Sequence, residues 1–258
     1  MGRLTGRVVF ITGASSGIGE ACAHAFAKEG AKLLLAARRV DRIEELAPQL
    51  EADGAQSVEC MRLDVRNADA VEDTIADLGR GWGAIEVLVN NAGLSRGLAP
   101  LHQGDRDDWN EMIDTNVKGL LWVSRAVVPG MVERGSGTVL HIGSIAGHET
   151  YPKGNVYCAT KHAVRAIGEA MRLDLNGTGV RVGSIDPGMV DTEFSEVRFR
   201  GDLDRARAVY QGMEPLTAED VAEIVVFAAT RPPHVSIAEL LVLPTDQASA
   251  TLIHRRNE

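Results

Sequence analysis

Residues 7 to 30, "RVVFITGASSGIGEACAHAFAKEG", constrain the fold more than any other stretch of the chain. A strand-sized apolar run passes directly into "TGASSGIG", and a helix-forming stretch follows until Gly30. That order reads as a buried strand feeding a helix through a tight turn, with the glycine as stop signal. Gly13, Gly17 and Gly19 stand in G-x-x-x-G-x-G spacing, interleaved with Ser15, Ser16 and Ile18. The spacing is related to the dinucleotide-binding fingerprint without being identical to it. The physics is shared: a turn free of side chains lets backbone N–H groups approach a pyrophosphate at the positive end of a helix. The two serine hydroxyls add donors. The competing explanation is a plain glycine-rich turn.

The alternation continues along the chain. "KLLLAA", "SVECMRLDV", "IEVLVNN", "GTVLHIGS", "GVRVGSID" and "ELLVLP" read as strands. Between them "DRIEELAPQLEADG" reads as a helix with Pro48 as an unfavourable residue in its middle, and "DAVEDTIADLGR" as another. "RDDWNEMIDTNVKGLLWVSRAVVPGMVER" is a long helical region interrupted at Pro129, and "TAEDVAEIVVFAA" is a helix with Thr217 as its N-cap. Strands apolar on both faces, alternating with helices, imply an α/β fold in which helices cover both faces of a parallel sheet. No linker or repeat intervenes, so residues 1–258 are expected to form one domain. Residues 189–214 and the tail 245–258 break the pattern. Such segments are usually lids, binding loops or partner contacts.

Composition excludes several classes. With 45% hydrophobic and 24% charged residues the chain has the make-up of a soluble globular protein. No apolar run is long enough to cross a bilayer, and no signal peptide is expected. Three widely spaced cysteines (Cys22, Cys60 and Cys158) and seven scattered histidines form no zinc or disulfide pattern, so reduced thiols, a cytoplasmic location and no metal are expected. A net charge of −9 argues against a nucleic-acid partner. Any anionic ligand must then be held by local cations.

Two such cations stand at the end of the second strand. An NAD site commonly carries an acid there for the ribose hydroxyls. This chain reads Ala37, Arg38, Arg39, which suits a ribose 2′-phosphate and predicts NADP; the competing explanation is a pair of surface arginines. Asp64 and Val65, in "RLDV", fall at the end of the third strand, where an adenine can rest.

In "NVYCATKHAV", Tyr157 and Lys161 lie four positions apart, one turn apart on one helix face. A free tyrosine has a pKa of about 10 and is a poor base. A nearby ammonium stabilises the phenolate, so Lys161 is expected to make Tyr157 acidic. Alone, the pair could be chance.

With these pieces assembled the chain resembles the short-chain dehydrogenase/reductase family along nearly its whole length. The matching motifs are "TGASSGIG", "NNAG" at 90 to 93, Asn116 in "DTNVKG", Ser144 in "IGSIAG", Tyr157 with Lys161, and "DPGMVDT" at 186 to 192. The resemblance implies a Rossmann-type doubly wound sheet and hydride exchange with a dinucleotide. It implies Tyr157 as proton acceptor, Lys161 also holding the nicotinamide ribose, Ser144 on the substrate oxygen, and Asn116 keeping a water in line with Lys161. It further implies cofactor contacts from Asn90, Ala92 and Gly93, and from Pro187, Gly188, Val190 and Thr192. A homotetramer is implied as well, with the Tyr–Lys helix and the long helix before it packed on neighbours and the tail reaching over an adjacent subunit.

Within the family, "MIDTNVKGL", "GNVYCATKHAVR", "SEVRFRGD" and "PTDQASATLIHR" look like the NADP-dependent 3-hydroxy acid dehydrogenases, which act on L-allo-threonine, serine and other short 3-hydroxy acids. Sulfoacetaldehyde and clavulanate-type aldehyde reductases are similar to the same group. A small anionic substrate needs a cation in a closed pocket. Arg198 is the first candidate, with Arg200, Lys153 and Arg96 behind it, and His148 as a possible pocket residue; each has a surface role as its competing explanation. Trp109 and Trp122 read as packing.

Overall fold

Alternate residues of the first strand point into two different cores. In the structure, a computed structural model describing residues 2–78 and 82–256, β1 spans Val8–Thr12. Val9 and Ile11 join one apolar cluster and Val8 and Phe10 join another, as the two-residue period of a strand requires. The first cluster packs under α1 (Gly17–Lys28), α2 (Val40–Ala52) and α9 (Ala218–Ala229). The second packs under α3 (Ala68–Leu78), α5 (Leu120–Arg134) and the end of α6 (Asn155–Asp174).

The remaining strands are β2 (Lys32–Ala37), β3 (Ser57–Arg62), β4 (Ile85–Asn90), β5 (Gly137–Ile142), β6 (Val180–Pro187) and β7 (Glu239–Val242). Their order is β3-β2-β1-β4-β5-β6-β7, with every pairing parallel. This is a Rossmann-type doubly wound sheet. Its strand order reverses between β1 and β4, and there the first crossovers leave in opposite directions and open a crevice at the strand ends.

One expected helix is borne out in spite of its proline, and another expectation needs correction. α2 runs unbroken through Pro48. Ile43 and Leu50 on its inner face are wholly buried. At about 1.5–3 kcal/mol each, their burial offsets a helix-interior proline cost of about 3 kcal/mol. The long helical region is likewise not interrupted at Pro129, which lies within α5. The break comes earlier, where α4 (Arg106–Ile113) passes into a π turn, Asp114–Gly119, before α5 begins. A π turn keeps the backbone helical, so no proline or loop in the sequence marks it. The expected end of the helix "DAVEDTIADLGR", at Gly79 and Arg80, lies outside the described residues.

Thr217 caps α9 as expected. Its hydroxyl accepts from the Asp220 N–H at 3.2 Å and the Asp220 carboxylate accepts from the Thr217 N–H at 2.8 Å, a capping box of about 1 kcal/mol. Residues 189–214 contain two short helices, α7 (Phe194–Arg198) and α8 (Leu203–Ala208), and Phe194 and Val197 of α7 line the crevice. The tail is bonded to its own chain at two points. The Arg256 N–H donates to the Gly212 carbonyl, and the Ala250 N–H to the Glu149 carboxylate. No helix among the described residues is long and apolar enough to cross a membrane.

Candidate active site

A cavity of about 360 Å³ occupies the crevice. Its floor is the turn from β1 into α1, and Gly13, Ser15, Ser16, Gly17 and Ile18 line it. Gly13 has φ +67°, and a Cβ there would sit 2.9 Å from the Ala92 Cα. Gly19 does not line the cavity. It is buried beneath the turn, where a Cβ would come within 2.3 Å of the Gly13 carbonyl oxygen, so its work is close packing of helix on strand. Ser16 is the N-cap of α1, yet its hydroxyl makes no capping bond and instead accepts from Arg39 Nη2 at 2.8 Å. The start of α1 thus leaves its first-turn N–H groups uncapped by Ser16, an arrangement suited to an anion.

Arg38 and Arg39 line the end of the cleft beside β2, and no carboxylate stands between Ala37 and Val40. Arg39 Nη1 donates to Glu193 Oε2 at 3.0 Å, and Arg42 Nη1 to Glu193 Oε1 at 2.7 Å. Arg38 Nη1 lies 3.8 Å from Glu111 Oε1, whose carboxylate is gripped by Arg96 at 2.7 Å. Asp64 and Val65 also line this end. The Arg66 guanidinium, bonded to Asp64 at 2.6–3.0 Å, holds that carboxyl below the usual range.

At the other end Ala92 and Gly93 face Pro187, Gly188, Val190 and Thr192. Gln247, in the tail, is buried against this wall. Its Oε1 accepts from the Met189 N–H at 2.8 Å, and a Cβ on Gly188 would come within 2.2 Å of it. Asn90, expected beside the cofactor, lies below the cleft with its amide donating to the Ser124 hydroxyl at 2.9 Å and near His141 Nδ1 at 3.2 Å. It ties β4 to its neighbours. Burial brings His141 down to about 4, so that ring is neutral.

Tyr157 and Lys161 project from one face of α6 into the cavity, both buried, with Ser144 beside them. The Ser144 hydroxyl accepts from the Ala146 N–H at 3.1 Å, which fixes its direction. Asn116, in the π turn, spends its side chain on structure: Oδ1 accepts from the Leu94 N–H at 2.8 Å, and Nδ2 donates to the Leu94 carbonyl at 2.8 Å and to Thr160 at 3.0 Å. It therefore clamps the "NNAG" loop to α6, and a water beside Lys161 would have to hang on main-chain groups instead.

Burial, with the Tyr151 phenol nearby, pushes Tyr157 well above the ordinary tyrosine range. The groups that pull it back are the Arg198 guanidinium and the Ser144 hydroxyl. Lys161 lines the same cavity. Its ammonium donates to the Ile142 carbonyl at 2.8 Å, and burial lowers it to about 8 against the opposing pull of Asp186. From α7, Arg198 Cζ lies 5.2 Å from the centres of both the Tyr157 and Phe194 rings.

Arg198 also donates from Nε to Ser95 and from Nη2 to the Tyr151 hydroxyl, each at 3.0 Å. Arg96 lines the cleft but is committed to Glu111 and the Val197 carbonyl, and Arg200 is bound to Asp108 outside it. Lys153 is exposed and borders only a small neighbouring pocket. His148 turns away from the cleft, with Nε2 2.8 Å from Asp186 and 3.1 Å from Glu239. Arg165 bonds Glu239 at 2.5 Å, so His148, Asp186, Glu239 and Arg165 form one connected cluster. Trp109 and Trp122 pack against the cores.

The fold agrees with comparison to known proteins. The short chain dehydrogenase family matches residues 7–202, and the chain belongs to that family. It is 46% identical over 251 residues to the NADP-dependent 3-hydroxy acid dehydrogenase YdfG of Escherichia coli K12, covering 96% of this chain and 100% of that one. It is also 46% identical over 241 residues to a sulfoacetaldehyde reductase of Chromohalobacter salexigens, covering 93% of this chain and 94% of that one. Among solved structures it is similar to the closed form of a serine dehydrogenase complexed with NADP+, with a TM-score of 0.90, 45% identity, and coverage of 97% and 100%.

Proposed function

We propose that the protein is an NADP-dependent oxidoreductase that moves a hydride between NADP(H) and a short 3-hydroxy acid such as L-allo-threonine, serine or 3-hydroxyisobutyrate. The observation that carries this is a cleft with arginines at its nucleotide end and Tyr157 in its wall, with the Arg198 guanidinium stacked on that tyrosine ring. The cradle fits the dinucleotide, because Gly13 and Gly17 leave its floor open and Arg38 and Arg39 supply cations where a ribose phosphate falls. NADP, when bound, supplies the hydride acceptor or donor. Tyr157 takes the hydroxyl proton, Ser144 orients the substrate oxygen, and Lys161 carries charge beneath them and holds the ribose. The main chain of the π turn at Asn116 holds a water that returns the proton to solvent.

Arg198 engages the substrate acid group, since a carboxylate in a buried pocket requires a cation. Arg198→Ala is expected to lower kcat/KM for a short hydroxy acid by about 10–100-fold, the worth of a hydrogen bond to a charged group. The loss with an uncharged secondary alcohol should be much smaller; equal losses on both would remove Arg198 from this role.

A sulfonated aldehyde would use the same cation, and the sulfoacetaldehyde reductase similarity favours it as the second reading. Steady-state rates with NADP+ and NAD+ against L-allo-threonine, serine, 3-hydroxyisobutyrate and isethionate test the assignment. The 3-hydroxy acids with NADP+ should lead, and a lead for isethionate would shift the substrate to the sulfonate. The protein is further proposed to be a cytoplasmic homotetramer. Exposed Leu121 and Val132 on α5 and Leu173 on α6 support contact through these helices, and three free cysteines support a reducing compartment.

A further inference from the structure

One carboxylate sits where a nucleotide phosphate should be drawn. Glu193 follows Thr192 and opens the lid segment, and it lines the cleft together with Arg38 and Arg39. Each of its oxygens is taken by a different arginine, Arg39 at 3.0 Å and Arg42 at 2.7 Å, both from the start of α2. Arg39 is at the same time bonded to Ser16 at 2.8 Å and reaches toward Ser15 at 3.4 Å in the phosphate turn. It therefore connects the second strand, the phosphate turn and the lid through one guanidinium.

We propose that Glu193 sets nucleotide discrimination: its carboxylate occupies the arginines that a ribose 2′-phosphate would recruit. A phosphorylated nucleotide has to draw Arg39 away from it, while an unphosphorylated one leaves the ion pairs intact. This rests on the NADP assignment above. The physical reason is competition between two anions for a short row of cations. Glu193 acts against the phosphate both by engaging Arg39 and by placing a like charge beside it. The ion pairs also tie the lid to α2, so phosphate binding and lid position share this contact. About two-fifths of each partner's side chain is exposed, so the energies are those of a solvent-screened cluster.

Calorimetric titration of the intact enzyme with NADP+ and with NAD+ tests this, using wild type, Glu193→Gln and Glu193→Asp. The Gln variant should bind NADP+ about fivefold tighter at low ionic strength, the scale of one screened charge interaction. Its NAD+ affinity should stay within about twofold, and the gain should shrink at about 0.5 M salt. The Asp variant, which keeps the charge, should discriminate as wild type does. Affinities for both nucleotides moving together, weaker NADP+ binding, or an Asp variant that copies Gln would each overturn the proposal. An NADP+-preferring wild type with an unmoved ratio would remove this inference alone. A wild type that prefers NAD+ would remove the cofactor assignment with it.

Discussion

Tyr157→Phe is expected to lower kcat for hydroxy acid oxidation by about 10³-fold while leaving the NADP+ dissociation constant within about threefold. The phenol is buried at the meeting point of α6, the Ser144 turn and the lid, and removing one oxygen there leaves the ring packing with Phe194 intact. Ring centroids 5.6 Å apart and tilted by 59° are as favourable for Phe as for Tyr. Fold and cofactor affinity should therefore survive while proton transfer is lost. Stopped-flow rates beside a nucleotide titration separate the two effects. A variant that raises KM with kcat unchanged would mean that Tyr157 binds substrate without accepting its proton.

Asn116→Ala should be the most damaging of the structural changes. The amide is almost wholly buried and satisfies both the N–H and the carbonyl of Leu94 as well as the Thr160 hydroxyl. Truncation leaves a buried main-chain donor and acceptor without partners, a cost of roughly 2–4 kcal/mol. In a chain of this size that lowers Tm by roughly 5–10 °C. Activity should fall as well, because Leu94 follows Gly93 at the cleft wall and Thr160 adjoins Lys161. Differential scanning calorimetry reads the first effect. An unchanged Tm would contradict the clamp and return Asn116 to a role in proton transfer alone.

Most of the cleft was legible because its parts are local. The glycine turn, the arginines after β2, the Tyr157–Lys161 pair and the "DPGMVDT" segment are short runs whose chemistry follows from spacing and position. What escaped were residues whose partners are distant in sequence. Glu193 meets Arg39 across 154 positions, and Gln247 meets Met189 across 58. Neither has a local pattern to announce it, and Gln247 lies in a polar tail with no periodicity. Arg198 was named as a candidate, but its stacking on Tyr157 depends on how α7 folds over the cleft. Sequence spacing places Lys161 one turn from Tyr157 without saying that its ammonium is drawn to the Ile142 carbonyl. His148 misled for the converse reason: nearness to Ser144 in sequence says nothing of Asp186 and Glu239 on neighbouring strands.

The central claim is that hydride leaves a hydroxyl-bearing carbon for NADP+ within this cleft. L-allo-threonine carrying deuterium at its hydroxyl-bearing carbon tests it directly, with the reduced cofactor analysed by mass spectrometry. One deuterium should appear in NADPH formed by the wild-type enzyme, with no comparable product from NAD+. Reduced cofactor without label, or equal turnover of the two nucleotides, would contradict the account.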